Sequence, residues 1–184
     1  MSDFIKINLV SLVNHKLVYD LLPTEEKEFG LDKNCILKED FKFKGEETIN
    51  GAEFRFITGN YDNMSCEGQR LEVGMAAEKL HVIGFGYWGD ICENLKVVYD
   101  DGSSEIIQIV LPDWSHSEKD DAMTQFLCRE KEIRNAKIVL SSGRLKHLIY
   151  FHHFACGLDK NKIIKELIFP DNMFMHIFAL SLEI

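Results

Sequence analysis

The chain has 184 residues, a length that suits one domain, 1–184, with room for a substantial core. Its 46% hydrophobic and 28% charged residues exclude a disordered chain. A net charge of −9, with no basic stripe, argues against a nucleic-acid backbone and disfavours an anionic membrane surface, so a saccharide or another protein fits better as partner.

Residues 4–10 alternate loosely, and Leu17-Val18-Tyr19 continues the pattern after a turn at Asn14-His15. Residues 20–36 read as a loop, with the cluster Glu25-Glu26-Lys27-Glu28 and a break at Gly30. Phe41-Lys42-Phe43 and residues 53–57 have period-two patterns that put phenylalanines on one face. Between them stand Gly45 and Asn50-Gly51, a dipeptide suited to a tight hairpin because both residues tolerate positive φ. Further strands are predicted at 69–73, 79–85, 95–99, 105–111, 136–140, 145–154, 162–169 and 173–182. The sharpest hairpin signal is Asp100-Asp101-Gly102-Ser103-Ser104. Phe174, His176, Phe178, Leu180 and Leu182 are expected on one buried face of the last strand. Only residues 75–79 and 118–128 resemble helix, and neither is long or persistently amphipathic. Thirteen Phe against three Pro also suits stacked sheets, so the pattern predicts an all-β antiparallel sandwich of jelly-roll type with little helix.

Cys35, Cys66, Cys92, Cys128 and Cys156 are scattered and odd in number, so they read as reduced thiols rather than zinc ligands or a disulfide framework. The first residues show no basic segment leading into an apolar run, which gives a cytoplasmic expectation.

Five phrases, in order, carry a resemblance. They are Asp62-Asn63-Met64-Ser65-Cys66-Glu67-Gly68-Gln69-Arg70-Leu71, Leu80-His81-Val82-Ile83-Gly84-Phe85-Gly86, the Asp101-Gly102-Ser103 hairpin, Leu111-Pro112-Asp113-Trp114, and Ile168-Phe169-Pro170-Asp171-Asn172 with Ile177-Phe178-Ala179-Leu180. Together they span residues 62–182 and resemble the galactose-binding-like β-sandwich modules appended to bacterial glycoside hydrolases of the α-L-fucosidase and β-xylosidase types. The resemblance implies a carbohydrate-binding module with its ligand held by strand-end loops.

No nucleophile elbow or activated thiol is signalled, so a binding module is favoured over an enzyme. His152 and His153 are adjacent and face opposite sides of a strand, while His147 lies roughly 20 Å from His153 along an extended chain. His81 and His176 read as lone core histidines, so no metal site is assembled from these residues. Asp100, Asp101, Asp113, Asp120 and Asp121 supply loop oxygens, and a structural calcium is the one cofactor they suggest. Aromatics at strand ends carry the ligand reading, because an indole face packs on the C–H face of a sugar while amides and carboxylates take its hydroxyls. The candidate contacts are Tyr61, Asn63, Tyr87, Trp88 and Asp90, with Trp114 expected as a core plug. The alternative is a protein-interaction or oligomerisation module that buries Tyr87 or Trp88 between chains.

Overall fold

The computed structural model describes residues 2–24, 29–41, 43, 45–116 and 132–184, and every regular element among them is a strand. The central sheet runs in the order β1 (Phe4–Lys6), β15 (Asp171–Glu183), β8 (Lys79–Gly86), β13 (Leu148–Gly157) and β11 (Glu132–Leu140), with β6 (Met64–Glu67) also paired to β15. A second sheet runs β10 (Ser104–Leu111), β9 (Ile91–Tyr99), β14 (Ile164–Ile168) and β7 (Arg70–Met75). All pairings in these two sheets are antiparallel. The result is an all-β, sandwich-like fold.

Side-chain alternation gives the central sheet two buried faces. On β8, Leu80 and Val82 enter a first core shared with Leu95, Val97, Ile109 and Leu167 of the second sheet. Ile83, Phe85 and Tyr87 point the other way, into a second core with Ile149 and Phe151 of β13. That second core is covered by the amino-terminal residues, through β2 (Val18–Tyr19), β3 (Asn34–Leu37), β4 (Glu46–Ile49) and β5 (Ala52–Arg55). Phe41 and Phe43 stand outside the strands, yet both rings are buried there, and Phe43 stacks on Phe56 at 4.0 Å. The phenylalanine excess therefore fills the space between the cap and the sheet, a layer beyond the two sheets of a simple sandwich.

The turn chemistry holds. Asn50 and Gly51, at φ 50° and 86°, are the two-residue loop between β4 and β5, with Ile49 paired to Ala52. Asp101 and Gly102 turn β9 into β10, where Asp101 accepts from the Ser103 N–H at 2.8 Å. Three expectations need correction. The segment read as a loop contains β3, which joins β2 in a short parallel pair and β12 (Ser142–Gly143) in an antiparallel one. Strands β4 and β6 were not foreseen, because each is only four residues long and mostly polar or mixed. In β15 the register shifts between Ile177 and Ala179. Phe178 thus stays on the second-core face with His176, while Leu180 and Leu182 turn into the first core, so the single predicted face is divided by a bulge. Residues 118–128, read as weakly helical, lie outside the described residues.

Gly84 and Gly86 of β8 are small for a steric reason. A Cβ on Gly84 would meet the His176 carbonyl oxygen at 2.3 Å, and one on Gly86 would meet that of Gly89 at 2.4 Å. The second of these contacts brings the turn after β8 back against its own strand.

Candidate functional site

That turn, residues 87–90, joins β8 to β9. Trp88 adopts φ +69°, a left-handed conformation that costs a bulky residue on the order of 1 kcal/mol or more and persists only when its surroundings impose it. Two carboxylates impose it. Asp113 Oδ2 accepts the Gly89 N–H at 2.6 Å, and Asp90 Oδ1 accepts the Asp113 N–H at 2.7 Å. Asp113 Oδ1 also takes the Ser115 N–H at 2.8 Å, and the Trp114 N–H reaches the Gly86 carbonyl at 2.8 Å. The two strand-end loops are thereby tied together, and Trp88 projects from them with 72% of its surface exposed.

Beside Trp88 lies a cleft of about 450 Å³, lined by Tyr87, Trp114, His147, Arg144 and Asp32 among others. Tyr87 and Trp114 cross edge to face at 5.0 Å, and Trp114 crosses His147 at 4.7 Å, so the back wall is a rigid aromatic stack. His147 Nε2 is buried in this wall without a hydrogen-bond partner in the protein, and the buried Tyr87 Oη lies beside the Asp32 carboxylate. A buried polar atom left unpaired costs about 1–3 kcal/mol, so His147 Nε2 marks a place where a polar ligand atom is worth more than on open surface. Burial raises the Tyr87 phenol pKa, and the Asp32 carboxylate adds to the rise, so the hydroxyl keeps its proton as a donor. Burial likewise lowers the His147 pKa, against a smaller opposing pull from Asp113. A neutral imidazole, a phenol, a guanidinium and a carboxylate around an exposed indole can bind a polyhydroxylated ligand.

The sequence-derived residues fall into three groups. Tyr87 and Trp88 line the cleft. Tyr61 is half-exposed and lines a neighbouring depression with His15, Lys16 and Lys33, and this depression shares Asp32 and Arg144 with the first. Tyr61 and Trp88 therefore flank one continuous surface. Asn63 and Asp90 stand behind it. Asn63 is fully buried, donating to Asp62 Oδ1 at 2.9 Å and facing His176 Nδ1 through its Oδ1 at 2.8 Å. Asp90 is taken up by the Asp113 N–H and by His116 at 3.3 Å, so its place is in holding the Trp88 turn. Asp32, Arg144 and His147 were missed, because they come from distant segments that only the folded chain brings to Trp88. His147 was weighed only as a metal ligand, and the unpaired state of its Nε2 is invisible in sequence.

Two of the acidic-loop residues are engaged within the protein. Asp101 pairs with Lys162 at 3.3 Å, Asp113 is used as described, and Asp120 and Asp121 lie outside the described residues. Among the described residues, no group of three or more histidine, cysteine or acidic side chains is placed to hold a metal ion. No helix among them is long and apolar enough to cross a membrane.

His81 and His176, read as lone residues, are not alone. His176 crosses His15 at 4.9 Å, and His81 meets His153. Burial lowers the pKa of His152 and His153 to about 4, and that of His176 to about 3. A depressed histidine leaves the folded state unprotonated while the unfolded chain takes up a proton, so stability falls as pH drops below the unfolded value. A depression from 6.5 to about 4 is worth on the order of 3 kcal/mol. Urea unfolding at a series of pH values is expected to show stability constant above pH 7 and falling steadily from about 6.5 toward 4. A flat profile over that interval would mean that these rings are solvated.

No protein-family model matches the chain, and no curated protein matches it significantly. The structure itself defines an all-β sandwich-like protein with an aromatic cleft at its strand-end loops.

Proposed function

We propose that this chain is a non-catalytic binding module that recognises a saccharide or glycoside at the Trp88 cleft. The observation that carries the reading is the pairing of an exposed indole, held at positive φ, with the buried, unpartnered His147 Nε2 of the adjoining wall. Trp88 offers a face for the C–H side of a pyranose, while Tyr87, His147, Arg144 and Asp32 offer donors and acceptors for its hydroxyls. The resemblance to galactose-binding-like modules supports the same class of ligand, and the acidic surface suits a neutral sugar better than a polyanion.

A glycan-array screen of the full chain identifies the ligand, and calorimetry then measures it on variants. Trp88→Ala is expected to weaken binding at least about tenfold, or 1.4 kcal/mol, while changing stability by no more than about 0.5 kcal/mol. Unchanged affinity in a folded Trp88→Ala protein would remove the cleft from consideration. One observation favours a second reading, a protein interface. Trp88, Tyr87 and Phe174 form a run of rings, at 5.7 and 6.4 Å between neighbours, whose two ends are exposed beside exposed Met173. A chain that ignores every glycan but self-associates through Trp88 would establish that reading instead.

A further inference from the structure

A second cleft, of about 430 Å³, opens on another part of the central sheet, between its edge and the β4–β5 hairpin. At its base His81 of β8 and His153 of β13 approach to 3.0 Å, Nδ1 to Nε2. Their strands pair with His81 opposite Ala155 and His153 opposite Ile83, a diagonal that sets both rings on one face. Glu183 of β15 reaches His81 Nε2 at 3.2 Å from the other side.

We propose that His81 and His153 together bind a divalent transition-metal ion of the zinc or copper class, with Glu183 orienting His81. Two nitrogens on a tetrahedral ion with bonds of about 2.0–2.1 Å stand roughly 3.3–3.4 Å apart. Turning each ring so that the two lone pairs converge toward the cleft, rather than face each other, opens the observed 3.0 Å to that span while the 5.2 Å between ring centroids can remain. Glu183 fixes the tautomer, because a carboxylate on His81 Nε2 keeps the ring proton there and leaves Nδ1 with its lone pair toward His153. In the metal-free pair His153 Nε2–H donates to that lone pair. On binding, the His153 proton passes from Nε2 to Nδ1 and both facing nitrogens turn to the ion.

The rings are held from behind, His81 by Phe4 at 5.6 Å and His153 by Phe54 at 5.4 Å, which limits the rotamers open to them. The carboxylates of the cleft, Glu53, Glu132 and Glu183, are paired with Lys6, Arg134 and Lys79, so the selectivity for a metal rests on the two imidazole nitrogens. Two imidazoles leave the remaining positions to water or to a ligand entering from the cleft. Imidazole nitrogen selects zinc, copper or nickel over magnesium and calcium, which take oxygen.

The test uses the full chain, freed of metal by a chelator, with Cu²⁺ and Zn²⁺ as probes. Calorimetry is expected to show one equivalent bound, and electron paramagnetic resonance of the copper form to show coupling to two imidazole nitrogens. His153→Gln is expected to weaken affinity at least about tenfold, and Glu183→Gln about tenfold through the loss of orientation. Because His153→Gln removes a buried ring, a second measurement is made on the unmodified chain. Substoichiometric Cu²⁺ is expected to broaden the ring proton resonances of His81 and His153 before those of His116 and His147. Absence of nitrogen coupling, broadening that begins at another histidine, or full affinity in folded His153→Gln would overturn the proposal.

Discussion

Phe178→Ala is expected to destabilise the protein by about 3–5 kcal/mol, the cost of emptying a phenylalanine site that cannot collapse. The ring is fully buried, 4.8 Å from Phe151, 5.3 Å from Phe85 and 6.3 Å from Phe41. Phe151 and Phe85 stand on the central sheet and Phe41 in the cap, so Phe178 is where the two meet. Strand pairing on both sides of the bulge fixes its backbone, which leaves the neighbours little freedom to close the cavity. Urea unfolding of the variant measures the loss. A cost under about 1 kcal/mol would show that the cap is loosely seated and its aromatic layer is not a packed core.

The parts of the fold legible in the sequence were those governed by local chemistry. Residues 79–85 read as a strand because the run is apolar and bounded by polar residues, and β8 spans Lys79–Gly86. Asn50-Gly51 and Asp101-Gly102 announced their turns because positive φ is a property of the residue itself. The bulge in β15 left no such mark. A period-two pattern continues through Phe178, Leu180 and Leu182, and only the partner strand decides where one residue is skipped. β3 was hidden for a related reason, since Asn34–Leu37 is four residues long and is held by segments remote in sequence.

The sites show the same division. Trp88 could be anticipated as exposed because Gly86, Gly89 and Asp90 surround it with turn residues. What the turn faces could not. Tyr87 and His147 lie sixty residues apart and meet through Trp114, while Asn63, attractive as a polar loop residue, is drawn inward by His176 and Asp62. The histidines show the limit most clearly. Spacing along the chain separates His147, just before β13, from His153 and turns His152 away, and it contains nothing of β8, which supplies His81. Cross-strand register makes that pair, and register is a property of the assembled sheet.

Trp114→Ala is expected to cost about 3–5 kcal/mol, in contrast to the near-neutral change expected at Trp88. Only 7% of Trp114 is exposed, and its indole is enclosed by Phe85 at 5.9 Å, Tyr87 at 5.0 Å and His147 at 4.7 Å. Its backbone is fixed as firmly, donating to the Gly86 carbonyl and accepting the Tyr150 N–H at 2.6 Å, so the chain cannot move in to fill the space. The expectation of a core plug is met by this burial, but the ring does more than fill a gap. It is the surface on which Tyr87 and His147 are set, so its loss also frees the two polar atoms that wall the cleft. The variant is therefore expected to lose both stability in urea and affinity for any ligand held at Trp88, measured at a temperature where it remains folded. A stable Trp114→Ala protein with intact binding would mean that Tyr87 and His147 are positioned by their own strands alone.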